Sequence, residues 1–223
     1  MPTPTLRDLG EKKLLQRIAK LFGTKRPGLP IGIGDDAAVL KLQDPYAVVS
    51  SDMLIEGQDF ELSWISFAEI GRKSAAANLS DLAAMGAKPI AAFVSLGLRP
   101  ELKSEAVLAL LRGFSKVCEE FATPLAGGDL SSTAGPLIVS VTVIGEMPLR
   151  QVMRRHQAQR GAVLLVSGEL GAAACGLHLL QKGISGFSRL KAAQTRPRPQ
   201  IKLGIRLARS GLVQSCADVS DGL

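Results

Sequence analysis

Residues 66–86, SFAEIGRKSAAANLSDLAAMG, decide the fold. Their apolar residues recur at helical spacing from Ser66 to Met85, and Gly86 is a natural terminator, so the sequence predicts one long helix. Ser74, Asn78 and Asp81 recur at i, i+4 and i+7, which draws a polar stripe along the half of the helix at 74–85 that is otherwise Ala, Leu and Met apart from Ser80. A stripe facing water normally carries Lys and Glu. Small polar groups in their place argue for a buried helix whose polar atoms need partners.

The elements on either side complete a layered pattern. Before the helix come an amphipathic helix at 10–22, the breakers Pro27, Gly28 and Pro30, a strand–turn–strand in IGIGDDAAVL (31–40), and a β-branched strand in YAVVSSD (46–52). After it come a strand at 91–98, a helix at 104–121, AGGD (126–129) joining a strand to a loop, and a strand at 137–147. This order predicts an α/β (α+β) domain over residues 1–150, with a mixed or antiparallel sheet and helices on one side. Residues 147–160 are basic and weakly patterned, as a linker would be. A second α/β domain over 151–223 then begins with a strand at 162–168, a helix to Gly183, a loop at 185–200 and a helix near 201–208. This second domain looks incomplete.

With 223 residues, 46% of them apolar, the chain can bury a substantial core. It contains no apolar run of the length a membrane span needs. Its first residues, MPTPTLRDLGEKK, lack the apolar core of a secretory signal. Cys118, Cys175 and Cys216 are odd in number and widely spaced, which fits buried free thiols and a cytoplasmic location. The formal charge of +7 is concentrated around Arg150–Arg160 and between Lys182 and Arg209. One Trp and one Tyr cannot build a base-stacking platform, so no nucleic-acid partner is expected.

Chemistry gathers at aspartate. Seven of ten aspartates lie in short clusters flanked by glycine or serine: Asp35 and Asp36, Asp52, Asp81, Asp129, and Asp218 with Asp221. Adjacent carboxylates such as Asp35 and Asp36 repel, which favours a cation between them, although an ordinary Asp turn gives the same pattern. Ser50, Ser51 and Asp52 offer three hard-oxygen side chains at a strand end, the donor type Mg²⁺ prefers, or else Asp52 caps a turn. Gly128 before Asp129 would let backbone N–H groups approach a phosphate. Asp218 and Ser220 share a side of any extended segment. His156 and His178 have no ligand-spaced partner, and no Ser/His/Asp or Cys/His set stands out, which weakens hydrolase readings. No P-loop or dinucleotide fingerprint is present.

The ordered set GIGDDAAVL, SSD, EGxxF, NLSDLAAMGA, GGD, SGxLG, RPRP and DVSDGL resembles the thiamine-monophosphate kinases. These belong with aminoimidazole-ribotide synthetase, selenophosphate synthetase and the hydrogenase-maturation dehydratase. The resemblance implies a two-domain synthetase-like fold that dimerises through N-terminal strands, takes ATP with several Mg²⁺ ions, and phosphorylates thiamine monophosphate to thiamine diphosphate. It implies metal-ligand positions at Asp35, Asp36, Ser50, Ser51, Asp52, Asp81, Asp129, Asp218 and Asp221. It implies ATP-contacting positions at Gly128, Asp129, Arg155 and Ser220. No side chain is implied as a nucleophile, because the attacking phosphate oxygen is already anionic. Asp59 stands in EGQDF where the family has a histidine that contacts the substrate, so repulsion of the substrate phosphate or recruitment of a further cation is expected there. The family continues beyond DVSDGL, so the second domain is expected to be incomplete. Two alternatives stay open: another ATP-dependent enzyme of the superfamily, and a non-catalytic nucleotide-binding module.

Overall fold

The computed structural model describes residues 4–23, 27–28, 41–43 and 46–220. The strand–turn–strand of 31–40 lies outside these residues, and with it Asp35 and Asp36; Asp221 lies outside them too. Two short N-terminal helices, α1 (Leu6–Leu9) and α2 (Glu11–Phe22), precede β1 (Tyr46–Ile55). Then come α3 (Phe67–Met85), β2 (Lys88–Leu98), α4 (Ser104–Glu119), β3 (Leu125–Ser132) and β4 (Ile138–Met147). Three helices follow, α5 (Ala172–Gln181), α6 (Ser188–Thr195) and α7 (Ile201–Ser210).

The four strands form one mixed sheet in the order β1-β4-β2-β3. β4 runs antiparallel to both β1 and β2, whereas β3 runs parallel to β2. Period-two alternation assigns the faces. Val139, Val141 and Val143 of β4 are buried toward the helices, while Ile138, Ser140, Thr142 and Ile144 point to the opposite, open face. Residues aligned across the sheet share a face, so Ser50, Asp52 and Leu54 join the helix side, and Val49, Ser51 and Met53 join the open side.

α3 and α4 cover the helix side. Gly71 and Gly113 let their backbones touch: a Cβ at Gly71 would lie 1.9 Å from the Leu110 carbonyl oxygen, and one at Gly113 would lie 1.9 Å from that of Ala68. Ile70, Leu79, Leu82, Leu110 and Phe114 fill the space beneath. Ser66 and Glu69 close a capping box on α3, and Gly86 ends it in the left-handed conformation the sequence predicts.

Three elements differ from expectation. AGGD is not a passage from strand to loop but the centre of β3, because Gly127 and Gly128 pair in register with Phe93 and Val94. A helix, α6, lies inside the stretch expected to be a loop at 185–200. Residues 162–168, expected as a strand, form no regular structure, and Val163, Leu164 and Leu165 are 82%, 76% and 85% exposed. A strand needs neighbours to satisfy its backbone, and none of the described strands lies beside this run. The thiols differ too. Cys118 is buried as expected, Cys216 is half-buried and Cys175 is exposed. His178 is exposed on α5. No helix among the described residues is long and apolar enough to cross a membrane.

Candidate functional site

The site is organised by the polar stripe of α3. Ser74 and Asn78 are fully buried, which rules out the solvated-face alternative, and Asp81 is half-buried. The Ser74 hydroxyl donates to the Gly71 carbonyl at 3.0 Å, and Asn78 Nδ2 donates to the Ser74 carbonyl at 2.9 Å. Asp81 reaches β1, where the Ser50 hydroxyl donates to its Oδ2 at 2.5 Å. Asp52 follows Ser50 on the same face, exposed, with its Oδ1 accepting the Met53 N–H at 2.8 Å. These hydroxyl and carboxylate oxygens are the hard donors that suit Mg²⁺.

The other expected ligands separate from this group. Ser51 lies on the open face, bonded to the Val141 carbonyl and the Thr142 hydroxyl, each at 3.0 Å. Asp129 is exposed on β3, aligned with Ser95 and therefore also on the open face, at the sheet edge opposite β1. Three strand spacings, roughly 14 Å, divide those edges. Gly128 packs backbone to backbone, since a Cβ there would lie 1.8 Å from the Val94 carbonyl oxygen. Asp218 and Arg155 do meet, at 3.8 Å, beyond the sheet. Ser215 ties these two segments by donating to the carbonyls of Arg154 and Arg155 at 2.9 and 2.6 Å. Ser220 is exposed at a bend. Among the described residues, no three His, Cys, Asp or Glu side chains converge as a metal cage.

Asp59 has a local role. Its Oδ2 accepts the Ile55 N–H at 2.7 Å, while Lys73 Nζ donates to its backbone carbonyl at 2.9 Å. Burial lowers the pKa of Lys73, and the Asp59 charge opposes that shift. The Asp59 carboxylate thus sits beside a cation from α3. Sequence reasoning missed Lys73, although a lysine in so apolar a helix is a readable signal.

It also missed how Glu56 of EGxxF works. Arg99 Nη1 donates to Glu56 Oε2 at 2.6 Å, and the Leu137 N–H donates to the same oxygen at 2.9 Å. The Arg99 hydrogen bond holds the Glu56 carboxyl below the usual range, helped by the Leu137 N–H and the Arg99 charge against the opposing effect of burial. Glu56 therefore pins the ends of β1, β2 and β4 together. Burial pushes the Cys118 thiol upward, and Glu119 adds to that, so Cys118 offers no thiolate.

A four-stranded mixed sheet under two crossing helices, with this acidic and hydroxyl face, defines a class, and residues 34–147 match the family model described as AIR synthase related protein, N-terminal domain. The thiamine-monophosphate kinase of Mycobacterium tuberculosis (strain ATCC 25618 / H37Rv) is 37% identical over 222 residues, which cover 99% of this chain and 66% of that protein. The crystal structure of thiamine-monophosphate kinase from Stenotrophomonas maltophilia K279a superposes with a TM-score of 0.83 at 36% identity, over 94% of this chain and 68% of that one. A structure described as AaThiL complexed with AMPPCP and TMP gives a TM-score of 0.69 at 29% identity, over 94% and 66% of the two chains. The chain belongs to the AIR synthase-related proteins and, among them, to the thiamine-monophosphate kinase family. It spans about two thirds of the length of the M. tuberculosis relative, 66%.

Proposed function

We propose that this protein transfers the γ-phosphoryl group of ATP to the phosphate of thiamine monophosphate, giving thiamine diphosphate and ADP. The observation that carries this reading is the similarity to AaThiL in complex with AMPPCP, an ATP analogue, and TMP. The chemistry of the site agrees. An oxygen of the acceptor phosphate attacks the γ-phosphorus, the bond to the β-bridging oxygen breaks, and its electron pair leaves with ADP. Such a transfer needs positioning and charge neutralisation rather than a protein nucleophile.

Ser50, Asp52 and Asp81 fit a divalent cation by donor type, and the unpartnered buried oxygen of Asn78 fits it further. A bound Mg²⁺ supplies neutralisation of phosphate charge. Asp35, Asp36, Asp218 and Asp221 are the further metal candidates of this reading, with Arg155 and Ser220 toward ATP and Asp59 toward the acceptor. Ser51, Gly128 and Asp129, on the open face or at the far edge of the sheet, would serve a cation and phosphates apart from the Ser50–Asp81 pair. Residues 1–150 form the nucleotide and dimer domain in this reading, and 151–223 open the second. A homodimer is supported by the open sheet face, where Val49 and Met53 are exposed, and by sheet edges that pair with no further strand among the described residues. The free thiols support a cytoplasmic location.

The experiment is a chromatographic assay for thiamine diphosphate and ADP on incubation with Mg·ATP and thiamine monophosphate. Formation of both in equal amounts supports the reading. Turnover on a different acceptor, with none on thiamine monophosphate, would assign the chain to a sister activity.

A further inference from the structure

Asn78 Oδ1 is the buried side-chain polar atom without a hydrogen-bond partner among the described residues. The residue is 1% exposed, so bulk water does not reach it. Its amide orientation is fixed, because Nδ2 donates to the Ser74 carbonyl at 2.9 Å. Turning the amide over would set two acceptor oxygens against each other. Ser74 is already satisfied within the helix through Gly71, so Asn78 is the stripe residue with an acceptor left open. Buried polar atoms are nearly always paired, and an exception calls for a donor. Asn78 and Asp81 are i, i+3 neighbours on one helix face, and Asp81 is bound to Ser50 of β1.

We propose that Asn78 Oδ1 accepts a hydrogen bond from a water in the coordination shell of the divalent cation held by Asp81 and Ser50. Asn78 is thus a positioning residue for that water, and the inference rests on the cation reading given under Proposed function. Mg²⁺ keeps several of its waters when bound by carboxylates, and a metal-bound water needs an acceptor of this kind. A side-chain oxygen without protons, rigidly aimed by its own amide nitrogen, supplies one at no conformational cost.

Mn²⁺ titration of this chain, followed by loss of the free-ion electron paramagnetic resonance signal, tests the assignment. Asn78→Leu keeps the branched shape, with two methyl groups in place of the amide oxygen and nitrogen, and removes the acceptor. It should weaken Mn²⁺ binding about 10–100-fold, the range for lost outer-shell partners. Its melting temperature without metal sums opposed changes, loss of the unpaired oxygen against loss of the Nδ2 bond to Ser74 and added bulk, so Mn²⁺ affinity is the deciding readout. Asn78→Asp keeps an acceptor and should bind Mn²⁺ at least as well as the parent, with a larger rise in melting temperature on adding metal. Should Asn78→Leu fail to fold, Asn78→Ala carries the same readout. Asp81→Asn separates the two layers of argument: wild-type Mn²⁺ affinity in that variant faults the cation reading itself. Weak binding in Asp81→Asn beside wild-type binding in Asn78→Leu overturns this inference alone. So does an Asn78→Leu variant that melts lower without metal and binds Mn²⁺ normally, the result expected of a purely structural amide.

Discussion

β4 and residues 162–166 are both apolar, valine-bearing runs, and they end in opposite states. Val139, Val141 and Val143 are almost wholly buried, paired on both sides in the middle of the sheet and roofed by helices. Val163, Leu164 and Leu165 stand in solvent without a pairing strand among the described residues. The side chains hardly differ, but the company does. Strand propensity expresses fit to a pleated, half-buried surface, and where no such surface is present the same composition stays unstructured. Stability in this chain is therefore expected to reside in 46–147 and to be nearly indifferent to 162–166.

The largest break of that contrast is a pair of truncations. Leu79→Ala should cost about 2–5 kcal/mol by leaving a cavity under α3. Leu165→Ala should stay within about 0.5 kcal/mol, as for an exposed site. Urea denaturation of this chain measures both, and equal effects would dissolve the distinction.

Glycine sharpens it next. Gly71→Ala must part α3 from α4 and should cost about 2–3 kcal/mol. Gly168→Ala, with nothing within 4 Å of the added Cβ, should change stability by less than about 0.5 kcal/mol. Melting curves of the two variants decide it.

A smaller effect tests the strand ends. Glu56→Gln removes a charge-assisted bond to Arg99 and should cost about 1–2 kcal/mol near neutral pH. Because folding lowers the Glu56 pKa, its contribution is fully present above the ordinary glutamate range and is lost as pH falls through the depressed folded value. The gap between parent and Glu56→Gln should therefore narrow on acidification, read from denaturation midpoints across pH. A gap that is constant with pH would assign the loss to packing.

What the sequence disclosed follows the same division. α3 was legible from end to end because its pattern and its terminator are local. β3 was hidden because two glycines suppress strand propensity, and only the neighbouring Val94 backbone explains why glycine is needed there. α6 was hidden inside a polar, proline-terminated stretch whose docking is tertiary: Arg196, just past its end, donates to Glu69 at 2.9 Å. In the site, the burial of Ser74 and Asn78 followed from the small polar stripe. The contact between Ser50 and Asp81 did not, because it joins a strand to a helix across 31 residues. Period two separates Ser51 from Ser50 and Asp52, so that split was readable from alternation alone. The place of Asp129 at the opposite edge was not, since strand order is a property of the whole sheet.

Calorimetric titration of this chain with AMPPCP, with and without Mg²⁺, asks whether the α3–β1 face holds the metal of a bound nucleotide, as proposed above. Mg²⁺-dependent binding is expected, and Asp81→Asn should weaken it by at least the about 10–100-fold that loss of an outer-shell partner alone costs, while the variant keeps its parent's fold by circular dichroism. Unchanged, Mg²⁺-dependent affinity in a folded Asp81→Asn protein would contradict that proposal.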